Sequence, residues 1–455
     1  MTVTALERGC SDSSSLCKNS QDSQCLESFK KSLYKTQEVR RQIVTSILSN
    51  ESLNETHVDC LKQTLSELTD SRTTGEMRHI STSSATFSIN IRDEIRGLEK
   101  DVEFLSRLLG KHISSSTIDG LLDDVDLPDI LSHYHSISVD AFQHELENTT
   151  RFLLNFVNNS SNDTRKPFFV TDWDGTMKDY CSQYATNLQP IYSAVVMGRF
   201  STLFTRATAV LTAGPLRGPG ILDLTALPLN GPVLFSGSWG REWWMRGKRV
   251  VHEDGISDEA FDAISRLSDE LTELIDSVDY AQFALVGSGV QRKVDRLTLG
   301  VQTVFGHVPA ELTSRYIDAV KERMHRIDPN MQVLKLDEHN HLEIEICAHA
   351  FNDEGPPKVW DKANGVAALI ESLNDSLEDG LVLVAGDTSS DLPMLRHVFN
   401  ENPKGVMALF VGANEDLKSK VRDIVKDDSR VCFISTPDVV HAAFARLIAS
   451  THELD

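Results

Sequence analysis

The sequence predicts a doubly wound α/β core, interrupted by a small α+β cap and preceded by a helical bundle. Three observations predict it. Short apolar runs at 168–171, 209–211, 232–235, 381–385, 407–411 and 431–434 alternate with helical stretches, as in a parallel sheet buried on both faces. From about 24 to 157, apolar residues recur at helical spacing. Between 255 and 348 the rhythm becomes helix–strand–strand–helix–strand–strand.

The chain has 455 residues, enough for roughly two to four domains. Its 45 Lys and Arg against 67 Asp and Glu give a formal charge of −22. Nucleic acid and anionic membranes demand clustered cations, so both are unexpected as partners. An anionic small substrate stays open, because a metal ion and a few cations can reverse the field in one cleft. No apolar stretch approaches the ~18 residues of a membrane span, so no membrane insertion is expected. The N-terminus lacks a signal peptide's apolar run, and the seven cysteines form no CxxC pair. A cytoplasmic location is the expectation.

Residues 1–22 are rich in Ser, Asp and Gln and read as a disordered tail. The helical bundle spans 23–157. Leu26, Phe29 and Leu33 begin one stripe, which Val39, Ile43 and Ile47 continue after a register change; Leu61, Leu65 and Leu68 form a second. Ile91, Ile95, Leu98, Val102, Leu105 and Leu109 keep heptad spacing, with Gly110 as a stop. Such stripes are bundle core or a groove for a partner helix, which makes this region a candidate oligomerisation or interaction module. The core is expected over 158–254 and 349–455, with the cap over 255–348. In the cap, a helix from Ser257 precedes strands at 282–286 and 295–303; a helix after Pro309 precedes a hairpin of 332–336 and 342–347.

Four short segments carry chemistry. In FFVTDWDGT, Asp172 falls at the carboxyl end of a buried strand, where open α/β sheets bind ligands, and Asp174 follows two residues later. Two such carboxylates can serve as nucleophile and proton donor in phosphoester hydrolysis. Thr212 ends another strand, where a hydroxyl can hold a phosphate oxygen. Lys362 precedes an amphipathic helix and can neutralise developing charge. In LVLVAGDTSSDLPML, Asp387 and Asp391 stand four apart after a strand, a donor set suited to a hard cation. Singly, Thr212 and Lys362 also read as an ordinary turn threonine and a surface lysine.

Together and in this order, the four segments resemble the haloacid-dehalogenase-like phosphatase superfamily, over about 165–455. That superfamily has a Rossmann-like core, and the 255–348 unit resembles its C2B cap. A narrower resemblance is carried by GSWGRE (Gly237–Glu242), VQRK (Val290–Lys293), LEIE (Leu342–Glu345) and Lys362. These stand where trehalose-6-phosphate phosphatases carry G-x-H-G-x-E, V-E-x-K, a Glu-Ile pair and a lysine-glycine step; with the helical extension, the whole resembles the nematode form of that family. Trp239 replaces the usual His, Gln291 replaces Glu, and Gly300 and Gln302 stand where bacterial forms carry His and Arg. The third motif reads Lys-Ala-Asn-Gly.

The resemblance implies an Mg2+-dependent phosphatase acting on trehalose 6-phosphate. It implies Asp172 as nucleophile, Asp174 as acid and base, Thr212 and Lys362 as phosphate ligands, and Asp172, Asp174, Asp387 and Asp391 as the metal site. In the cap, Gln291, Arg292, Lys293, Glu343 and Glu345 become candidates for sugar hydroxyls; solvated strand-face charge is the alternative. Trp243 and Trp244 read as a sugar-stacking pair or as packing. Other outcomes are a phosphatase or mutase for another sugar phosphate, and a docking protein whose phosphatase domain is regulated or inactive.

Overall fold

A computed structural model describes residues 24–70, 76–81, 86–111, 125–158, 165–181, 183–277, 279–303, 308–338, 341–348 and 360–452. The expected tail over 1–22 lies outside them.

The N-terminal layer holds β1 (Gln24–Cys25), α1 (Leu26–Leu48), α2 (Glu55–Asp70), β2 (Met77–Ser81), β3 (Thr86–Asn90), α3 (Arg92–Lys111), α4 (Leu127–Ser132) and α5 (Val139–Asn158). The β2–β3 hairpin was not legible as such in the sequence. The register change expected in the first stripe is absent: α1 is one helix of 23 residues. Where its apolar stripe lapses, Thr36, Gln37 and Arg40 are buried instead. Gln37 donates to the Leu222–Thr225 neighbourhood through the Leu224 carbonyl, and Arg40 pairs with Asp101 of α3 at 2.7 Å. Buried polar groups keep such partners because an unmet one costs about 1–3 kcal/mol.

The core runs β4 (Phe168–Thr171), α6 (Ile191–Phe204), β5 (Ala207–Val210), α7 (Ile221–Leu224), β6 (Val233–Gly237), β7 (Glu242–Met245) and β8 (Lys248–Val251). The cap follows as α8 (Asp258–Ile275), β9 (Val290–Arg292), β10 (Arg296–Gly300), α9 (Ala310–Ile327), β11 (Leu334–Asp337) and β12 (Glu343–Ala348). The chain returns with α10 (Lys362–Leu373), β13 (Val382–Gly386), α11 (Leu392–Glu401), β14 (Val406–Val411), α12 (Glu415–Val425), β15 (Val431–Ile434) and α13 (Pro437–His452).

The central sheet has the order β15-β14-β13-β4-β5-β6-β7-β8. It is parallel from β15 to β6, and β7 and β8 add antiparallel at one edge. The chain leaves β4 toward β5 and later returns on the other side as β13, so strand order reverses at β4. Ligands bind at that crevice in open α/β sheets. One face of the sheet is covered by α10, α11 and α12. The other carries α6 and α13, and there α1 and α5 join the same apolar cluster. The helical layer thus shares its apolar core with the α/β domain.

The cap sheet has the order β11-β12-β10-β9. One expected cap strand is corrected: residues 281–284 form a 3-10 turn, and the first strand is Val290–Arg292. Gly287 and Gly289 take φ of 50° and 63° and end the turn before pairing can start. Among the described residues, no helix is long and apolar enough to cross a membrane.

Candidate active site

Three strand ends deliver the site. Asp172 follows β4, its N–H continuing the ladder to the Ala385 carbonyl at 2.9 Å. Thr212 lies two residues beyond β5, and Asp387 directly follows β13. Gly175 lets the first motif turn away, with φ of 85°; a Cβ there would sit 2.1 Å from Asp387 Oδ2. A side chain at 175 would therefore push the two acidic motifs apart.

Lys362 is the first residue of α10. Asp361 caps that helix, accepting from the N–H groups of Ala363 and Asn364, while Asn364 reaches back to the Asp361 N–H. The motif Lys-Ala-Asn-Gly is thus a capping box that fixes the lysine. Its glycine has a separate cause: a Cβ on Gly365 would lie 2.5 Å from the Trp239 carbonyl oxygen, so the GSWGRE turn and α10 touch backbone to backbone.

The Lys362 ammonium, 1% exposed, bonds the Asp172 carboxylate and lies 2.5 Å from Asp391 Oδ1. Asp391 is completely buried; its second oxygen accepts from the N–H groups of Asp387 and Thr388 at 2.9 and 3.0 Å. Carboxylate oxygens of Asp172, Asp387 and Asp391 all lie within 4.8 Å of one another. Burial pushes Asp172 up to about 7, against the pull of Lys362 and with repulsion from Asp391. Burial and the charge of Asp172 push Asp387 up to about 8. Burial alone would lower the Lys362 pKa, but Asp172 and Asp391 drive it up. Three crowded carboxylates share one lysine, and their mutual repulsion is what a bound cation would relieve. An all-oxygen set of this kind fits a hard divalent cation.

Asp174 is held separately. Its Oδ1 accepts from Asn187 Nδ2 at 2.7 Å, and Lys178 Nζ donates to Asn187 Oδ1 at 2.5 Å. Burial raises its pKa to about 6, opposed by Lys178 and Asn187. A carboxyl poised near neutrality can give and take a proton. Thr212, 2% exposed, accepts from the Gly214 N–H at 3.1 Å, which fixes its oxygen at the cleft floor.

Core and cap enclose a cleft of about 620 Å3, lined on the core side by Asp172, Asp174, Thr212, Lys362 and Asp387, and on the cap side by Gln291, Lys293 and Glu343. Arg292 and Glu345 do not line it. Side chains alternate along a strand, so Arg292 points to the other face of β9, over the Phe261 ring and toward Ser265 of α8. Glu345 lies behind Lys293, held by Lys293 at 3.3 Å, Thr298 at 2.8 Å and Arg296 at 3.4 Å. Trp243 is fully buried in the core, and Trp244 Nε1 donates to the Leu229 carbonyl, so both pack. Trp239 places its ring 5.9 Å from the Lys362 ammonium and 5.7 Å from the Arg296 guanidinium, linking core to cap by cation–π attraction.

Sequence reasoning missed Tyr180, Tyr184, Asn187 and Ser288, all of which line the cleft. Tyr180 donates to Asp387 Oδ2 at 2.8 Å, and Ser288 donates to Glu343. The first three lie in an aperiodic stretch after the first motif; a run of polar and aromatic residues right behind a candidate nucleophile was the available signal.

A model for the C-terminal region of trehalose-6-phosphate phosphatase matches residues 169–440, and one for that family's N-terminal helical bundle domain matches residues 25–120. The chain is 53% identical to a trehalose-phosphatase of Brugia malayi over 428 residues, covering 93% of this chain and 86% of that one. It is 54% identical to one of Caenorhabditis elegans over 429 residues, covering 94% and 96%, and 54% identical to one of Caenorhabditis briggsae over 430 residues, covering 94% and 98%. The chain belongs to the trehalose-6-phosphate phosphatase family.

Proposed function

We propose that the chain hydrolyses trehalose 6-phosphate to trehalose and phosphate, through an aspartyl phosphate on Asp172. The observation that carries this reading is the pairing within one cleft: Asp172 braced by Lys362 on the floor, and Gln291, Lys293 and Glu343 facing it from the cap. A cleft of about 620 Å3 has room for a disaccharide.

In the first half-reaction an Asp172 oxygen attacks phosphorus. The bond from phosphorus to the sugar oxygen breaks, and Asp174 gives its proton to that oxygen. In the second, Asp174 takes a proton from water as the water attacks the aspartyl phosphate, releasing phosphate and restoring Asp172. Thr212 and Lys362 hold the phosphoryl oxygens. Asp172, Asp387 and Asp391, with the main chain of Asp174, are the residues that would hold Mg2+, which when bound supplies neutralising charge for the phosphoryl group. Gln291, Lys293 and Glu343 orient the sugar hydroxyls. Arg292 and Glu345 support that wall from behind. In this reading 23–157 is a helical module, 158–254 with 349–455 the catalytic core, and 255–348 the cap.

The test is phosphate release from trehalose 6-phosphate, sucrose 6-phosphate and glucose 6-phosphate, each with Mg2+ and with EDTA. A preference of at least about tenfold in kcat/KM for the first is expected, since hydroxyl-reading sites discriminate strongly, with activity lost in EDTA. Equal turnover of all three overturns the substrate reading. Isomerised sugar phosphate without free phosphate would indicate a mutase.

A further inference from the structure

We propose that Glu94, on α3 of the N-terminal layer, is a positioning residue for the phosphatase reaction: its carboxylate fixes the 178–190 segment that holds Asp174 and walls the sugar end of the cleft. This rests on the reaction proposed above.

Among its described residues the segment has little secondary structure of its own beyond one short turn at Tyr184–Thr186, yet it supplies Tyr180, Cys181, Tyr184 and Asn187 to the cleft. Its shape comes from outside. Glu94 Oε1 accepts from the Thr186 hydroxyl, next to Asn187, and from Cys181 Sγ at 3.4 Å, next to Tyr180. The far end is tied to the same helix, since the Ile191 N–H donates to Asp101 Oδ1 at 2.6 Å while Arg40 of α1 holds the other Asp101 oxygen. On the opposite side, the Tyr184 N–H donates to the Gly287 carbonyl of the cap at 2.9 Å. One strap of chain therefore touches the helical layer, the proton donor and the cap.

The consequence for chemistry runs through Asn187. It sits one residue from Thr186 and bonds Asp174 at 2.7 Å. Freeing Thr186 and Cys181 loosens the residue that aims the acid. Phosphate binding by Thr212 and Lys362, and attack by Asp172, involve none of these contacts; the strap also reaches Asp387 through the Tyr180 hydroxyl at 2.8 Å, a link that Thr186→Val, which keeps the Cys181 contact with Glu94, leaves in place. Loss of Glu94 should therefore harm esters whose leaving oxygen needs a proton and spare those whose leaving group is a weak base. Glu94 is buried, which pushes its pKa up to about 7. A neutral amide of the same shape can accept the same hydrogen bonds.

The experiment compares kcat/KM, which reports steps up to phosphoenzyme formation, for trehalose 6-phosphate and for p-nitrophenyl phosphate in the full chain. In Glu94→Ala, the sugar phosphate should lose at least about tenfold, as a displaced catalytic geometry does. The p-nitrophenyl ester should stay within about twofold, the scale of change expected where acid catalysis is not needed. Glu94→Gln should restore most of the loss. Thr186→Val, which removes one donor without removing volume, should show the same split more weakly, and it serves if Glu94→Ala does not fold. Equal losses on both esters, no loss on the sugar phosphate, or a folded Glu94→Gln as poor as Glu94→Ala would overturn the proposal. If the unsubstituted chain prefers another sugar phosphate, the substrate reading falls and the split on that compound decides Glu94.

Discussion

Asp172→Asn is expected to lower phosphate release by at least about 10^4-fold, because an amide cannot form the acyl phosphate that divides the reaction in two. The fold should survive. Asp172 is 6% exposed, and burial already disfavours its charge, holding its pKa near 7. An isosteric amide keeps an oxygen for Lys362, and its NH2 replaces the Oδ2 that accepts from the Thr176 hydroxyl at 3.2 Å, a hydroxyl that can turn to accept instead. Phosphate assays paired with thermal melting check both halves; a melting temperature near the original with activity retained would remove Asp172 as nucleophile.

Lys362→Met should fail differently. It removes the cation that serves both Asp172 and Asp391. Turnover should fall by about 10^2–10^3-fold, as when a preorganised charge is taken from a transition state. Stability should fall too, by about 3–5 kcal/mol where both carboxylates are ionised, the cost of stranding buried charge. The pH dependence fixes the cause. Burial already raises the folded pKa of Asp172 above its ordinary value, and losing Lys362 raises it further. A raised folded pKa gives stability that is present at acid pH and lost as pH rises through it. In EDTA, the variant's deficit should therefore be small near pH 5 and large near pH 8. A deficit independent of pH would point to packing instead of charge.

Much of the site was legible because buried strands announce themselves. Phe168-Phe169-Val170-Thr171 is apolar throughout since both sheet faces are covered, and the residue after such a run falls at the ligand end of the sheet. That logic reached Asp172, Thr212 and Asp387. It did not reach Asn187 or Tyr180, whose roles depend on contacts across 13 and 207 residues of chain. No local period encodes those contacts. Arg292 failed for a simpler reason: with Gln291 and Lys293 on one face of a strand, strand alternation puts Arg292 on the other. The edge hairpin β7–β8 was open to discovery. Its turn residues Arg246 and Gly247 take φ of 49° and 97°, and a residue–glycine pair between Trp-Trp and Val-Val is a hairpin signal. The helical stripes pointed to a bundle, but apolar spacing cannot say that α1 and α5 spend part of their apolar face on α6 and α13.

The most direct test of the account is to quench the unsubstituted chain within its first turnovers on trehalose 6-phosphate carrying labelled phosphorus, and to map the label. The account predicts an acid-stable, hydroxylamine-sensitive label on the peptide containing Asp172. Label on any other residue, or a full turnover rate with no covalent label on the chain, would contradict it.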